Sequence, residues 1–242
     1  AGLGRVAIFG CRVSSAAMRR PWRLGRLVRE IFDSGVLSLA IVCSSAFAVG
    51  MVLALQGYNS LVDFGAEESL GAVVGLSLIR ELGPVITGLL VAGRAGSAMA
   101  AEIGMMVATE QIDGMRTMAV DPVQFVVAPK AVAMTISMPL LSALFIGSAV
   151  CGGWLVGVQH LGLDSGIYWS GLEDSVNFHE DVAASLVKAL VFGVLIALVA
   201  TYLGFTSERS TEGVSRATTR TVVIASVSIL LADYLITAFW GV

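Results

Sequence analysis

The chain has 242 residues and a formal net charge of −3; 56% of its residues are hydrophobic and only 14% are charged. A soluble domain carries roughly 25% charged residues, and several apolar runs here exceed the roughly 18 residues expected of a spanning helix. The composition excludes a soluble domain and predicts an all-α polytopic membrane protein, with residues 1–242 as a single membrane domain. A transmembrane β-barrel would instead show alternating segments of about 10 residues, which the sequence lacks.

Residues 1–35 are rich in arginine, and apolar residues recur between the arginines at helical spacing. This pattern is typical of a helix that lies in the membrane interface, with its arginines facing anionic headgroups. A basic flank that stops the first span is the alternative. No apolar core with a cleavage site is visible, so a signal peptide is not predicted. The arginines are Arg5, Arg12, Arg19, Arg20, Arg23, Arg26 and Arg29; the apolar residues are Trp22, Leu24, Leu27, Val28, Ile31 and Phe32.

Five apolar segments follow, and we predict that each spans the membrane. Gly83-Pro84 should bend or tilt the long second span. The loops 59–69 and 159–181 carry no Lys or Arg, so the positive-inside rule predicts a cytoplasmic N-terminus and a C-terminus on the outer side. The predicted spans are 36–55, which ends at Gln56-Gly57-Tyr58, and 70–100, 128–158, 182–205 and 221–240.

A ladder of small residues runs along the second span and the segment after it. Gly88, Ala92, Gly96, Ala100 and Gly104 recur every four residues, which places them on one helix face. Such a face allows another helix backbone to approach closely, so we expect the ladder to serve helix packing.

Charged residues within the spans form a second group: Arg80, Glu81, Arg94, Lys188 and Asp233. Each costs at least a few kcal/mol at the bilayer centre unless it is paired or hydrated. Lys188 and Asp233 lie at similar depths, which predicts an ion pair between neighbouring helices, with a proton relay as the alternative. For Arg80 and Glu81, a hydrated cavity, a subunit interface and an internal pair all remain open.

The connection between the second and third spans, residues 102–122, is amphipathic. Methionine-rich apolar stripes suit docking grooves, so this segment is predicted to dock on another protein. A helix that rests on the membrane surface is the alternative. The apolar stripe contains Met105, Met106, Ile112, Met115 and Met118, and the polar stripe contains Glu102, Glu110, Asp113 and Arg116.

Some signatures are missing from the sequence. It has no G-x-x-x-x-G-K-[ST] phosphate loop, so ATP hydrolysis by this chain is not expected. His160 and His179 lack the Cys or carboxylate arrangement of a zinc site, so no metal is predicted, and neither is placed for intramembrane proteolysis. Cys11, Cys43 and Cys151 are predicted to be small buried residues rather than disulfides.

Three stretches of the sequence resemble the MlaE (YrbE) permease family. They are RELGPVITGLLVAGRAGSAMAAEIG at 80–104, ATEQIDGMRTMAVDP at 108–122 and SRATTRTVV at 215–223. Members of this family are the membrane subunits of ABC transporters that work with MCE-domain proteins. The resemblance extends over nearly the whole chain after about residue 30.

The resemblance implies a homodimeric permease in the inner membrane of a Gram-negative-type envelope, with its C-terminus in the periplasm. It implies cytoplasmic ATPase subunits that hold ATP and Mg²⁺, and periplasmic MCE-domain proteins that bind lipid. Phospholipid would move between inner and outer membrane and maintain outer-membrane lipid asymmetry. The chain itself would be non-catalytic, with no cofactor and no nucleic-acid partner.

The resemblance also implies functional sites. The family's coupling helix maps to 101–118, and a lipid cavity is expected at the dimer interface, built largely from spans 1, 2 and 5. A membrane anchor or scaffold that links an ATPase to periplasmic lipid-binding proteins is the alternative function. The predicted coupling residues are Glu102, Met105, Glu110, Asp113 and Arg116, and Leu53, Gln56 and Tyr58 would lie near the mouth of the cavity.

Overall fold

The structure, a computed structural model, describes residues 2–18 and 24–240. Every regular element within those ranges is helical. The prediction of an all-α polytopic membrane protein is therefore confirmed. Five helical stretches of the described chain are long and apolar enough to cross a membrane: Leu24–Val62, Glu67–Ala108, Val123–His160, Glu180–Phe205 and Thr211–Phe239.

Two helices precede α3 (Leu39–Val62), the long helix of the first stretch. Helix α1 covers Gly2–Met18, and α2 covers Leu24–Ser34. The start of the predicted interfacial helix, with Trp22 and the arginines Arg19, Arg20 and Arg23, lies outside the described residues.

The first and last long helices extend beyond their predicted ends. Helix α3 covers Leu39–Val62, so the predicted end at Gln56-Gly57-Tyr58 is wrong. A lone glycine costs a helix only about 1 kcal/mol, which packing can offset. The last helix begins at Thr211 rather than 221, because the side chain of Ser210 accepts a hydrogen bond from the backbone N–H of Gly213 at 3.0 Å and caps its first turn.

The second span is interrupted by two π-helical turns. Its α-helical parts are α4, α5 and α6, and a short helix α7 follows. The first π turn lies directly before Gly83-Pro84, and π bulges occur where the regular hydrogen-bond ladder is broken. The bounds are Leu70–Ser77 for α4, Gly83–Val91 for α5, Ser97–Ala108 for α6 and Gln111–Thr117 for α7, with π turns at Leu78–Leu82 and Ala92–Gly96.

Four further helices complete the described chain. Between two of the spans, the Asp164 side chain caps the helix α9 by accepting hydrogen bonds from the N–H groups of Gly166 and Ile167 at 2.7 and 3.2 Å. The bounds are Ala128–Trp154 for α8, Ser165–Ser175 for α9, Ala183–Phe205 for α10 and Thr211–Trp240 for α11, with π turns at Val123–Val127, Leu155–His160 and Phe178–Val182.

These helices form two compact units. Unit 1 comprises the described parts of Ala1–Ser38 together with Gly88–Met138 and Leu190–Tyr234. Unit 2 comprises Leu39–Thr87, Pro139–Ala189 and the described part of Leu235–Val242.

Unit 1 includes the N-terminal helix α1 as a packed element. The ring centroid of Phe9 lies 5.6 Å from that of Tyr202 and 5.7 Å from that of Phe205. Val13 and Ala16 are buried about one and two turns further along α1. Helix α1 is therefore docked on the end of α10 by aromatic and small apolar side chains.

In unit 2, glycines bring helix backbones into direct contact. A Cβ atom on Gly50 of α3 would overlap the carbonyl oxygen of Ala149 in α8. A Cβ on Gly152 would overlap the carbonyl oxygen of Phe47 in the same way. Only glycine fits at these two positions, so the crossing of α3 and α8 depends on them.

Helix α9 packs along α4 through Tyr168. The Tyr168 hydroxyl donates a hydrogen bond to the carbonyl oxygen of Val150 at 3.3 Å. Burial raises the pKa of Tyr168 to about 12, so the hydroxyl stays protonated and keeps this hydrogen bond even at alkaline pH values that would ionise an ordinary tyrosine.

The prediction that the cysteines are buried is wrong. Cys11 and Cys151 are exposed on the surface of the chain, and Cys43 is partly exposed. In a membrane protein, apolar side chains are also stable on the lipid-facing side of a helix, so hydrophobicity does not imply burial within the chain.

Candidate coupling surface and intramembrane ion pairs

The predicted coupling segment is a helix–turn–helix of α6 and α7 in unit 1. The turn passes through Glu110, which has a φ of 60°. This left-handed conformation is uncommon for a residue with a Cβ and costs of order 1 kcal/mol. It directs the chain out of α6 and into the short helix α7.

Arg209 forms ion pairs with the acidic side chains at the start of α7. The sequence analysis did not identify it as a site residue. Its guanidinium lies 2.6 Å from a carboxylate oxygen of Asp113 and 3.8 Å from one of Glu110. Asp113 also accepts a hydrogen bond from Arg116 at 3.0 Å. The sequence offered one indication of this pairing: five predicted spans place residues 206–220, which include Arg209, on the same side of the membrane as residues 101–127.

The apolar stripe of the segment is divided between two environments. Ile112 is buried, whereas Met105 and Met118 are exposed. Exposed methionines are adaptable contact residues. The segment therefore anchors itself with Ile112 and presents methionine and carboxylate side chains outward.

Glu102 lies at the start of the segment, and its side chain is engaged by Lys130 of α8. The Lys130 ammonium is 2.7 Å from a carboxylate oxygen of Glu102 and 2.7 Å from one of Glu30 in α2. The lysine side chain is only 4% exposed. The sequence analysis did not identify Lys130 as a site residue either. It lies near the start of the predicted span 128–158, and basic residues are common at the ends of membrane spans.

The intramembrane Arg94 caps the C-terminus of α2. Its guanidinium donates hydrogen bonds to the carbonyl oxygen of Asp33 at 2.6 Å and to the hydroxyl of Ser38 at 3.1 Å. The last carbonyls of a helix have no partner within the helix and carry partial negative charge, so a cation there is favourable.

The small-residue ladder faces α10 and α11. All five of its members, Gly88 through Gly104, are buried. A Cβ on Gly96 would lie 3.1 Å from the Ile196 side chain, and one on Gly104 would lie 3.4 Å from Val214. The helical period was visible in the sequence, but the partner helices were not.

In unit 2, the predicted intramembrane charges Arg80 and Glu81 form internal pairs. Arg80 Nε is 2.8 Å from a carboxylate oxygen of the fully buried Asp181. Glu81 Oε1 is 2.9 Å from Lys188 Nζ. The Thr237 hydroxyl donates to Glu81 Oε1 at 3.1 Å. The pairing of Lys188 with Asp233 stays a prediction.

Lys188 has a further contact that follows from a proline. Pro84 has no N–H, so it cannot donate to the carbonyl oxygen of Arg80 four residues earlier. Lys188 Nζ donates to that carbonyl oxygen at 2.9 Å. The ammonium thus satisfies a backbone acceptor that the proline leaves free within the span.

The predicted cavity residues lie along the last turns of α3. Gln56 is exposed, and Leu53 and Tyr58 are partly exposed. None of them lines the groove of about 670 Å³ between α3 and α8. That groove is lined by Cys43, Ser44, Phe47, Ala143, Leu144, Gly147, Ser148 and Cys151.

Within residues 2–18 and 24–240, no group of three or more His, Cys, Asp or Glu side chains could hold a metal ion.

Sequence comparisons identify the family. A family model described as "Permease MlaE" matches residues 27–239. The "Intermembrane phospholipid transport system permease protein MlaE" of Haemophilus influenzae is 48% identical over 238 residues, which cover 98% of this chain and 90% of that protein. A "Probable ABC transporter permease protein" of Rickettsia bellii is 42% identical over 97% of this chain and 90% of its own length. The chloroplastic protein TRIGALACTOSYLDIACYLGLYCEROL 1 of Arabidopsis thaliana is 30% identical over 90% of this chain and 62% of that protein. The chain belongs to the MlaE permease family.

Proposed function

We propose that the chain is the permease subunit of an ABC transporter that moves phospholipid between inner and outer membrane and so maintains outer-membrane lipid asymmetry. The observation that carries the proposal is the 48% identity, over nearly the full chain, to a permease named for intermembrane phospholipid transport. Two further features agree with this function: the five apolar spans, and an amphipathic connection after the second span whose Asp113 is ion-paired with Arg209.

In this proposal, α7 is the coupling helix and docks on a cytoplasmic ATPase. Exposed Met105 and Met118 supply adaptable apolar contacts, and Asp113 and Glu110 supply charge. The ATPase holds ATP and Mg²⁺, and this chain contributes no catalytic residue. Arg209 gives α7 a fixed orientation, so a displacement of the ATPase is passed to α6 and the second span.

The chain is proposed to work as a homodimer with the lipid cavity at the interface. In the most apolar window of the first and fifth spans, only 22% and 11% of the residues are buried, against 44% in each of the other three. The two least covered spans are among the three, spans 1, 2 and 5, that are expected to line the cavity. Leu53, Gln56 and Tyr58 lie on one of them.

The proposed location is the bacterial inner membrane, with the whole chain acting as one permease domain. Basic residues in the N-terminal segment and in 101–127 and 206–220 support a cytoplasmic N-terminus by the positive-inside rule. With five spans, the C-terminus lies in the periplasm, where an MCE-domain lipid-binding protein is the proposed partner.

Photo-crosslinking tests the cavity. A photoreactive residue at Leu53, Gln56 or Tyr58 should form adducts with labelled phospholipid in cells, and the yield should fall severalfold when the partner ATPase is inactivated. Val194 is exposed on α10 and serves as the lipid-facing control, with adducts that do not depend on the ATPase. Equal, ATPase-independent adducts at all four positions would favour the anchor function and remove the cavity.

Charge reversal tests the coupling surface. Asp113→Arg should reduce recovery of the ATPase with the permease roughly fivefold, because it replaces the partner of Arg209 with a like charge; exposed charge pairs are worth up to about 1 kcal/mol. The measurement is co-purification together with ATP hydrolysis. Arg209→Asp combined with Asp113→Arg should restore part of the loss.

Glu173→Arg is the matched control for that experiment. Glu173 is an exposed carboxylate on α9, on the side of the membrane that the charge pattern assigns to the periplasm. Its reversal should leave ATPase recovery unchanged. Normal recovery and normal ATP hydrolysis with Asp113→Arg would contradict the coupling-helix assignment.

A further inference from the structure

Helix α2 is amphipathic, and the side that carries Glu30 faces the other elements of unit 1. Leu24, Val28 and Phe32 are exposed and recur every four residues, which forms an apolar stripe on the outer side of α2. Glu30 lies between them in sequence, and its carboxylate is nearly buried against Lys130. The inner side of α2 therefore combines this ionic contact with the partly buried Leu27 and Ile31.

Lys130 is the centre of these contacts. Its ammonium is 2.7 Å from carboxylates of both Glu30 and Glu102, on two different helices, and its side chain is 4% exposed. A buried ammonium is costly unless it is paired and hydrogen-bonded. Because Glu102 is 59% exposed and Glu30 is not, removal of Lys130 would leave the Glu30 carboxylate as the less solvated charge.

A second contact joins the same two elements. Arg94 caps the C-terminus of α2 through the carbonyl oxygen of Asp33 at 2.6 Å. Arg94 and Glu102 both belong to the second span, eight residues apart, on the segment that continues into the coupling helix α7. Arg26 adds a cation–π contact with Phe125 at 4.4 Å from the ring centroid. Helix α2 thus contacts the second span directly through Arg94 and the start of the third span through Phe125 and Lys130, and Lys130 in turn links it to Glu102 of the second span.

We propose that Lys130 is a positioning residue that makes α2 follow the coupling segment during the transport cycle. The inference rests on the proposed function, since it takes α7 to be the coupling helix. A displacement of α6 moves Glu102, Lys130 follows the carboxylate, and Glu30 carries α2 with it. The apolar stripe of α2 then moves within the lipid surface in step with nucleotide hydrolysis, so the ATPase acts on the boundary lipids as well as on the spans.

The test uses the full transporter, purified with its ATPase and placed in lipid nanodiscs. Hydrogen–deuterium exchange is measured for each helix in Lys130→Met, Lys130→Arg and the control Arg12→Met. Arg12 forms an exposed ion pair with Asp121 at 3.4 Å in the same unit, so the control removes a cation without touching α2. The ratio of phospholipid transferred to ATP hydrolysed is measured in parallel.

The expected result is a local effect on α2 with uncoupling. In Lys130→Met, amide exchange over 24–34 should rise about tenfold, since hydrogen bonds to charged groups are lost. Exchange in α10 should stay unchanged, and transfer per ATP should fall severalfold. Lys130→Arg should restore both quantities, and Arg12→Met should resemble the wild type.

Two results would overturn the inference. One is unchanged exchange of α2 in Lys130→Met; the other is faster exchange of α2 with a normal ratio of transfer to ATP hydrolysis. If Lys130→Met raises exchange in every helix, the Glu30→Gln variant decides between a local effect and general unfolding. It removes only the ion pair between Lys130 and α2 and leaves Lys130 paired with Glu102. Unchanged α2 exchange or unchanged transfer per ATP in Glu30→Gln would then reject the inference. A wild-type transporter without ATP-dependent phospholipid transfer would instead contradict the proposed function, while the α2 exchange would still report on the Lys130 contact.

Discussion

Lys188→Met should lower the stability of the permease by about 3 kcal/mol, which corresponds to a fall in melting temperature of about 6–12 °C. The substitution keeps the volume of the side chain but leaves the Glu81 carboxylate without its ammonium partner at 2.9 Å. The value lies at the low end of the range for breaking a buried pair, because Glu81 is 39% exposed. The measurement is thermal unfolding of the purified protein in one detergent.

Two double variants separate the contributions of Lys188. Glu81→Gln removes the carboxylate charge that Lys188→Met leaves unpaired. The double variant Lys188→Met with Glu81→Gln should therefore lose less stability than the sum of the losses of the two single variants. Pro84→Ala supplies an N–H four residues after Arg80, so it can replace the ammonium at that carbonyl oxygen. Its combination with Lys188→Met should also lose less than the sum. Strict additivity in both pairs would show that neither contact carries the stability.

Gly50→Ala adds a single methyl group and should lower the free energy of unfolding by about 3 kcal/mol. This value lies near the upper end of the usual cost of overpacking a core. The new Cβ would overlap the carbonyl oxygen of Ala149. A backbone oxygen cannot rotate away as a side chain can, so α3 and α8 have to separate. The separation loses packing contacts along the whole crossing, and the expected fall in melting temperature is again about 6–12 °C.

Gly147→Ala is the matched control for Gly50→Ala. Gly147 lies in the helical part of α8, and a Cβ there would meet no atom within 4 Å. The substitution should be neutral or stabilise by up to about 1 kcal/mol, because alanine is the better helix former. Equal melting temperatures for the two variants would contradict the close crossing of α3 and α8.

Hydropathy located the spans well but not their ends. The five apolar windows are present in the described chain, yet α3 continues to Val62 and α11 begins at Thr211. Hydropathy measures the length of an apolar run, whereas a helix ends where its capping and packing change. Ser210 caps α11 with a side chain that contributes nothing to hydropathy.

Periodicity identified one packing surface and missed another. The ladder from Gly88 to Gly104 was found because its members repeat every four residues. The shorter run Ala46, Gly50 and Ala54 also repeats every four residues on α3, but the sequence analysis did not single it out. Gly50 and Gly152 both allow close backbone approaches between α3 and α8. The period of a repeat does not show which carbonyl oxygen its glycine will meet.

The sequence by itself determined that this is a five-span α-helical membrane protein, which segments connect the spans, and which residues carry charge into the membrane. Only the tertiary structure decided which groups those charges meet: Arg80 with Asp181, Arg94 with the end of α2, and Glu81 with Lys188. The reason is geometric. Composition and hydropathy are sums along the chain, but a partner depends on the rotation of each helix, and one residue turns the helix by about 100°.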